Sequence, residues 1–242
     1  MQIRAFFISD LHIDSVNSEE EKNKQEKILE FLKKVKQKAT HLYIVGDLFD
    51  FWYEYKYVIP KEYFPFLVIL KEITDAGIEV HYLAGNHDFA LGKFFTDVLN
   101  VHIHLDDYEF ELSGKRFYLF HGDGIAKKDV GYRILKKILR SKANQKIFKL
   151  LHPDFGIPFA RFVSGSSRKY TNQLNHLRDE SDYIEYAEKK FAEGFNYVLM
   201  GHRHNPLEHI CDQNKYINLG DWITLFSYAE FDGNELVLKY YK

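Results

Sequence analysis

The sequence predicts an α/β protein with parallel strands, antiparallel strands at its C-terminal end and an inserted helical cap. Short apolar, β-rich runs alternate with helix-period segments through the first half of the chain, the pattern of strand–helix–strand units. The C-terminal end reads instead as successive strands joined by tight turns, and residues 126–170 differ in composition from everything around them.

The strand-like runs are 3–9, 42–46, 78–84, 116–121, 197–201 and 216–220. Between the first of them, residues 24–35 place Ile28, Leu29, Leu32 and Val35 on one helical face, and residues 63–74 repeat that spacing. Near the end, 217–219, 223–231 and 235–241 read as consecutive strands, with Asp232-Gly233-Asn234 as a turn, so a sheet continued by antiparallel strands is expected. At 242 residues and 45% hydrophobic, the chain can bury the core of one large domain carrying an insertion, and an unfolded chain is excluded. We expect a core of residues 1–125 and 171–242, with 126–170 as the insertion.

The formal charge of −2 offers no global field for nucleic acid or an anionic membrane. A single cysteine, Cys211, excludes an internal disulfide framework and a thiolate zinc site. The N-terminus lacks the pattern of a signal peptide, and the longest apolar run, Phe64 to Leu70, is far short of the about 20 residues of a membrane span. A cytoplasmic protein is expected.

The cap is basic as well as apolar. Residues 126–170 hold twelve Lys or Arg against two acids, Asp129 and Asp154, so the rest of the chain is acidic. Ile134, Leu135, Ile138 and Leu139 share one side of a helix; Arg133, Lys136, Lys137 and Arg140 share the other. Such a helix can rest on a membrane surface or wall an acyl groove. It can equally be an ordinary amphipathic helix covering a core.

Chemistry is concentrated in five short blocks, each at the end of a strand-like run: Asp10-Leu-His12, Gly46-Asp47-Leu-Phe-Asp50, Gly85-Asn86-His87-Asp88, His121-Gly122-Asp123 and Gly201-His202-Arg-His204. Each alone has an ordinary reading as a polar turn, a helix cap or a core imidazole. Together they converge, because open α/β sheets bind ligands at the carboxyl ends of their strands. Carboxylate, amide oxygen and imidazole without thiolate suit Mn, Fe, Zn or Mg. Seven candidate ligands, Asp10, His12, Asp47, Asn86, His121, His202 and His204, are too many for one tetrahedral ion and suit two that share a carboxylate. Two ions about 3.5–4 Å apart clamp the attacking and leaving oxygens of an in-line displacement at phosphorus. On strand geometry, residues i and i+2 face one way, so Asp10 with His12, and His202 with His204, would each chelate one ion. Glycines 46, 85, 122 and 201 are read as sharp turns beneath the site.

In this order the blocks resemble the calcineurin-like metallophosphoesterase superfamily, over residues 9–204. The resemblance implies a β-sandwich flanked by helices (αββα). It implies Asp10, His12, Asp47 and His204 around one ion and Asp47, Asn86, His121 and His202 around the other, with Asp47 bridging. It gives His87 the part of steadying the transition state or protonating the leaving group, so the catalytic set is His87, Asp47 and Asn86. Asp50, Asp88 and Asp123 are expected to orient ligands. Trp52 and Phe89 are read as core packing or as aromatic walls of the site. The remaining histidines, at 41, 81, 102, 104, 152, 176 and 209, are read as structural or exposed.

Within the superfamily the chain most resembles the UDP-2,3-diacylglucosamine pyrophosphatases of lipid A synthesis. This rests on Gly46-Asp-Leu-Phe-Asp-Phe-Trp52, Asn86-His-Asp-Phe-Ala-Leu-Gly92, His121-Gly-Asp followed by Asp129-Val-Gly-Tyr132 and a basic, apolar cap, and Tyr216-Ile-Asn-Leu-Gly-Asp-Trp222. That group carries Arg where this chain has His87, so a sister branch fits as well. The resemblance implies two divalent ions, Mn foremost, and release of UMP and 2,3-diacylglucosamine 1-phosphate at the cytoplasmic face of the inner membrane, with the protein bound peripherally. It places substrate contacts at Asn86, His87, Asp129, Ser164, Arg168, Lys169 and His202, with Tyr170 nearby. No nucleic acid and no obligate protein partner is expected. The alternatives are the same chemistry on another nucleotide, nucleotide-sugar or phospholipid, and a non-catalytic module that binds membranes peripherally.

Overall fold

The structure is a computed structural model that describes residues 2–126, 141, 144, 147, 148, 150–161 and 179–242, without the Phe89 side chain. Two sheets stack face to face. The first runs β13-β12-β1-β2-β4-β6, with β1 (Ala5–Ile8), β2 (His41–Val45), β4 (Glu79–Leu83), β6 (His102–His104), β12 (Ser227–Phe231) and β13 (Leu236–Tyr240). The second runs β10-β11-β9-β8-β7, with β7 (Tyr108–Leu112), β8 (Lys115–Phe120), β9 (Tyr197–Met200), β10 (Leu207–Cys211) and β11 (Asn214–Asn218). A two-stranded ribbon pairs β3 (Trp52–Tyr53) with β5 (Asp88–Ala90).

Strands buried on both faces read as continuous apolar runs, not as alternating ones, and β1 is such a run, Ala-Phe-Phe-Ile. Alternate residues feed two different cores. Phe7, Tyr43, Val45 and Leu83 face Phe117, Leu119, Leu199 and Ile217 between the sheets. Phe6, Ile8, Leu42 and Tyr82 face outward under helices α1 (Glu19–Lys38) and α2 (Phe64–Asp75). Tyr118, Val198 and Tyr216 lie under α3 (Ser181–Ala192). Helix, sheet, sheet and helix stack in the order that the resemblance implies.

Helix α1 starts where Ser18 accepts a hydrogen bond from the Glu21 N–H, with three glutamates in the first turn and Lys36 and Lys38 in the last. That arrangement satisfies an orphan donor and opposes the helix dipole at both ends.

The C-terminal strands depart from the expected continuation of one sheet. β11 joins the second sheet, parallel to β9, whereas β12 crosses to the first, antiparallel to β1. The crossover also shortens the strand expected over 223–231. Asp221 accepts the N–H groups of Ile223, Thr224 and Leu225 and folds them into a turn, so β12 begins only at Ser227.

Parallel pairing of β1, β2 and β4 in one sheet, and of β8, β9 and β11 in the other, leaves their carboxyl ends at one edge of the sandwich. The five blocks follow the ends of β1, β2, β4, β8 and β9. Most of the cap, including Asp129, Ser164, Arg168, Lys169, Tyr170 and the helix read over 133–140, lies outside the described residues. Its described part includes a helical segment over 153–161. Phe148, Ile157 and Ala160 pack there on Phe51, Tyr53, Tyr55 and Ala90 of the ribbon.

Candidate metal centre

Each candidate ligand sits one to four residues past a strand end, where the backbone has left strand geometry. Asp10, His12, Asp47, His202 and His204 all have positive φ, between 42° and 67°. For non-glycine residues this left-handed conformation is uncommon, and its accumulation marks a site held by its surroundings. Gly46 (φ 88°) and Gly122 (φ 104°) supply the turns expected of them. Gly85 and Gly201 do something else: they make room. A Cβ on Gly85 would lie 2.2 Å from Asp47 Oδ1, and one on Gly201 would lie 1.9 Å from Ser9 Oγ.

The ligand atoms form two groups that meet at Asp47. In the first, Asp10 Oδ1 lies 3.2 Å from His204 Nε2 and 3.6 Å from His12 Nε2, and the two imidazole nitrogens are 3.3 Å apart. Asp47 Oδ2 stands 3.8 Å from His12 Nε2. In the second, the same Asp47 Oδ2 lies 3.3 Å from His121 Nε2, and Asn86 Oδ1 lies 3.0 Å from His121 Nε2 and 2.8 Å from His202 Nδ1. Ligands held at about 2.0–2.2 Å from one ion are spaced about 2.8–3.6 Å from each other, so these separations fit. The i, i+2 reading of His202 and His204 is corrected: with both residues left-handed, their rings part and serve different groups. Asp10 and His12 do share a group, by way of the turn and not of a strand.

The surroundings orient the rings. The Val45 carbonyl accepts from His121 Nδ1, which leaves Nε2 turned to Asp47 and Asn86. The Asp50 carbonyl accepts from His87 Nδ1, while the His87 N–H donates to Asp47 Oδ1. Asp88 Oδ2 accepts the N–H groups of Asp47 and Gly85, and Tyr82 donates to Asp88 Oδ1 at 2.5 Å. These carboxylates and carbonyls hold ligands in place from behind. Trp52 is fully buried among Phe49, Tyr63 and Phe95, which settles it as core.

Electrostatics point the same way. Burial would raise the Asp10 and Asp47 carboxyls, but neighbouring imidazoles outweigh it and hold both well below the ordinary value. Burial would lower His12 and His121, yet the carboxylates around them lift the two to about 9 and about 10. His202 is pushed down to about 3 by burial and by His121. Buried carboxylates held charged among imidazole nitrogens are groups that a bound cation can take over, in place of the protons that pair them otherwise. Asp10 Oδ1 is buried without a hydrogen-bond partner, the condition of an atom built for a ligand other than protein, whereas His12 Nδ1 on the far side of its ring faces Asp50 Oδ1 at 3.7 Å. The donor set therefore fits divalent metal.

Three cations escaped the sequence reading. Lys24, buried on α1, donates to the His12 carbonyl at 2.7 Å and pairs with Glu21. Arg203, between the two histidines, pairs with Glu180. Arg161, on the described cap helix, donates to Ser15 Oγ at 2.7 Å, while its Nε and Nη2 donate no hydrogen bond among the described residues. Amphipathic patterning cannot flag a buried cation, since lysine or arginine at such a position ordinarily faces water.

The chain is 31% identical to the UDP-2,3-diacylglucosamine hydrolase of Porphyromonas gingivalis, over 99% of this chain and 98% of that protein. It is 28% identical to the protein of the same name from Haemophilus ducreyi, over 90% and 91% of the two chains. A solved archaeal phosphodiesterase shares the fold with a TM-score of 0.51 at 14% identity, covering 98% of this chain and 99% of that one. Residues 3–206 match the calcineurin-like phosphoesterase family, and the chain belongs to it.

Proposed function

We propose that the chain hydrolyses the pyrophosphate of UDP-2,3-diacylglucosamine, adding water across the P–O–P bond to give UMP and 2,3-diacylglucosamine 1-phosphate. The observation that carries this reading is the pair of ligand groups joined at Asp47 beside an apolar cap helix, in a chain similar over its whole length to hydrolases of that name.

Asp10, His12, Asp47 and His204 would hold one divalent ion, Mn foremost, and Asp47, Asn86, His121 and His202 the other. When bound, the pair would polarise the phosphoryl oxygens and acidify the attacking water. The rest is the work of the chain. His87, with Nδ1 committed to the Asp50 carbonyl, would steady the transition state or protonate the leaving group. Arg161, near the loop that follows His12, is paired with Glu62 Oε2 at 3.7 Å and lies over Tyr63, so a phosphate oxygen would have to compete with that carboxylate for it. Asp129, Ser164, Arg168 and Lys169 remain proposed contacts on the same substrate.

The cap would receive the lipid. Leu150, Leu151, Phe155 and Phe159 expose large side chains, with Leu150 86% and Phe155 77% accessible, while the opposite side of the segment is packed on the ribbon. Acyl chains covering such a face gain about 0.8 kcal/mol per buried CH₂. Among the described residues no helix is long and apolar enough to cross a membrane; the exposed apolar side chains of the cap would be the part that binds the cytoplasmic face peripherally.

Mn-supplemented hydrolysis of the diacylated UDP-sugar, of the UDP-sugar without acyl chains and of bis-p-nitrophenyl phosphate separates the parts of this reading. All three should be cleaved, the diacylated substrate with the highest kcat/KM. Equal kcat/KM with and without acyl chains would remove the lipid; no cleavage of any substrate would remove the hydrolase.

A further inference from the structure

Arg203 interrupts the pair His202 and His204, and it is buried, with 5% of its surface exposed. Its Nε and Nη2 both reach Glu180 Oε1, at 3.0 and 2.9 Å. Glu180 occupies the N-cap position of α3 but makes no side-chain cap; its Oε1 takes both Arg203 donors instead, and its Oε2 has no hydrogen-bond partner among the described residues. The guanidinium also lies over the ring of Tyr183, 5.1 Å from the centroid. Tyr183 in turn backs the His121–Gly122 turn, since a Cβ on Gly122 would come within 3.5 Å of Tyr183 Cε1 and 3.6 Å of His202 Cβ. One helical turn thus props two of the loops that carry candidate ligands.

A buried charge that loses its partner is costly, and one use of a buried, paired charge is to fix a local geometry. Here that geometry is a turn whose flanking residues, at φ 67° and 53°, send one ring to Asn86 and the other to Asp10. We propose that Arg203, clamped by Glu180 and seated on Tyr183, is the positioning residue that divides His202 and His204 between the two halves of the metal centre. This rests on the metal reading given above. Its planar fork makes arginine the residue for this role; lysine has a single point of attachment.

The test is Mn²⁺ binding to the full chain, followed by calorimetric titration and by metal content after dialysis, for wild type, Arg203→Met, Arg203→Lys, Glu180→Gln and the double variant Arg203→Met/Glu180→Leu. Wild type should bind two ions. Arg203→Met should bind at least one of them tenfold or more weakly, Arg203→Lys and Glu180→Gln should fall between, and added Mn²⁺ should restore turnover toward wild type. The double variant removes both charges, so its melting temperature should recover while its Mn²⁺ affinity stays low, a separation that a purely structural role would not produce. Should Arg203→Met fail to fold, Glu180→Gln and the double variant carry the comparison. Two ions bound with wild-type affinity in the folded variants would overturn the proposal. No ion bound by wild type would overturn the metal reading instead.

Discussion

Gly85→Ala is a probe of the centre that alters no ligand. Gly85 lies outside the left-handed region, so its backbone accepts alanine, and the change alone would stabilise by about 0.4–1 kcal/mol through the unfolded chain. Against this, the new Cβ would stand 2.2 Å from Asp47 Oδ1, 2.6 Å from Asp47 N and 2.8 Å from Asp47 Cγ, where ordinary contact is about 3.5–4 Å. The backbone nitrogen cannot retreat cheaply, because it donates to Asp88 at 2.9 Å. Overpacking of this kind costs about 1–3 kcal/mol, so a net loss of about 1–2 kcal/mol remains, or roughly 2–8 °C in Tm for a domain of this size. The larger effect falls on catalysis. Asp47 must move by close to 1 Å, and misplacement on that scale costs about 10²-fold. Hydrolysis of bis-p-nitrophenyl phosphate across a Mn²⁺ titration, with Tm from differential scanning fluorimetry, reads both. Turnover within about threefold of wild type would show that the position of Asp47 does not govern the reaction.

Two further predictions concern groups behind the site or far from it. Burial, with His104 and His102 nearby, holds His81 down to about 3, and burial with His102 holds His104 down to about 4. Both values lie below the unfolded one, so the unfolded chain takes up protons first. Stability is whole above about pH 6.5 and is lost as pH falls from there toward about 4. Tm should drop over that range and drop less in His81→Phe, which keeps the stack on Tyr43; parallel Tm–pH curves would contradict this. Tyr82→Phe leaves a buried Asp88 oxygen without its 2.5 Å donor. It should cost about 1.5–3 kcal/mol in chemical denaturation and lower kcat more than it changes KM, because Asp88 sets the backbone of Asp47.

The sequence made the centre legible because its blocks fall at strand ends, and a parallel sheet brings such ends together whatever lies between them. It misled where local geometry overrides periodicity. His202 and His204 read as a same-face pair only on strand dihedrals, which neither adopts. β7 and β10 were missed for another reason: both are half-exposed edge strands, and Tyr-Glu-Phe-Glu-Leu and Leu-Glu-His-Ile-Cys carry charged residues that break the continuous apolar runs by which the buried strands were read. The switch of sheets after β11 left no trace in hydropathy, since β11 and β12 are both largely buried. It depends instead on the Asp221 turn and on the Trp222 N–H bonded to the Asp10 carbonyl. Lys24, Arg161 and Arg203 became visible only as atoms with partners.

The most direct measurement is anomalous diffraction at the manganese edge from crystals of the Mn-loaded protein. Two peaks about 3.5–4 Å apart are expected, both within ligand distance of the Asp47 carboxylate, with Asp10, His12 and His204 around one and Asn86, His121 and His202 around the other. A single peak, or manganese bound elsewhere on the chain, would contradict the dinuclear centre.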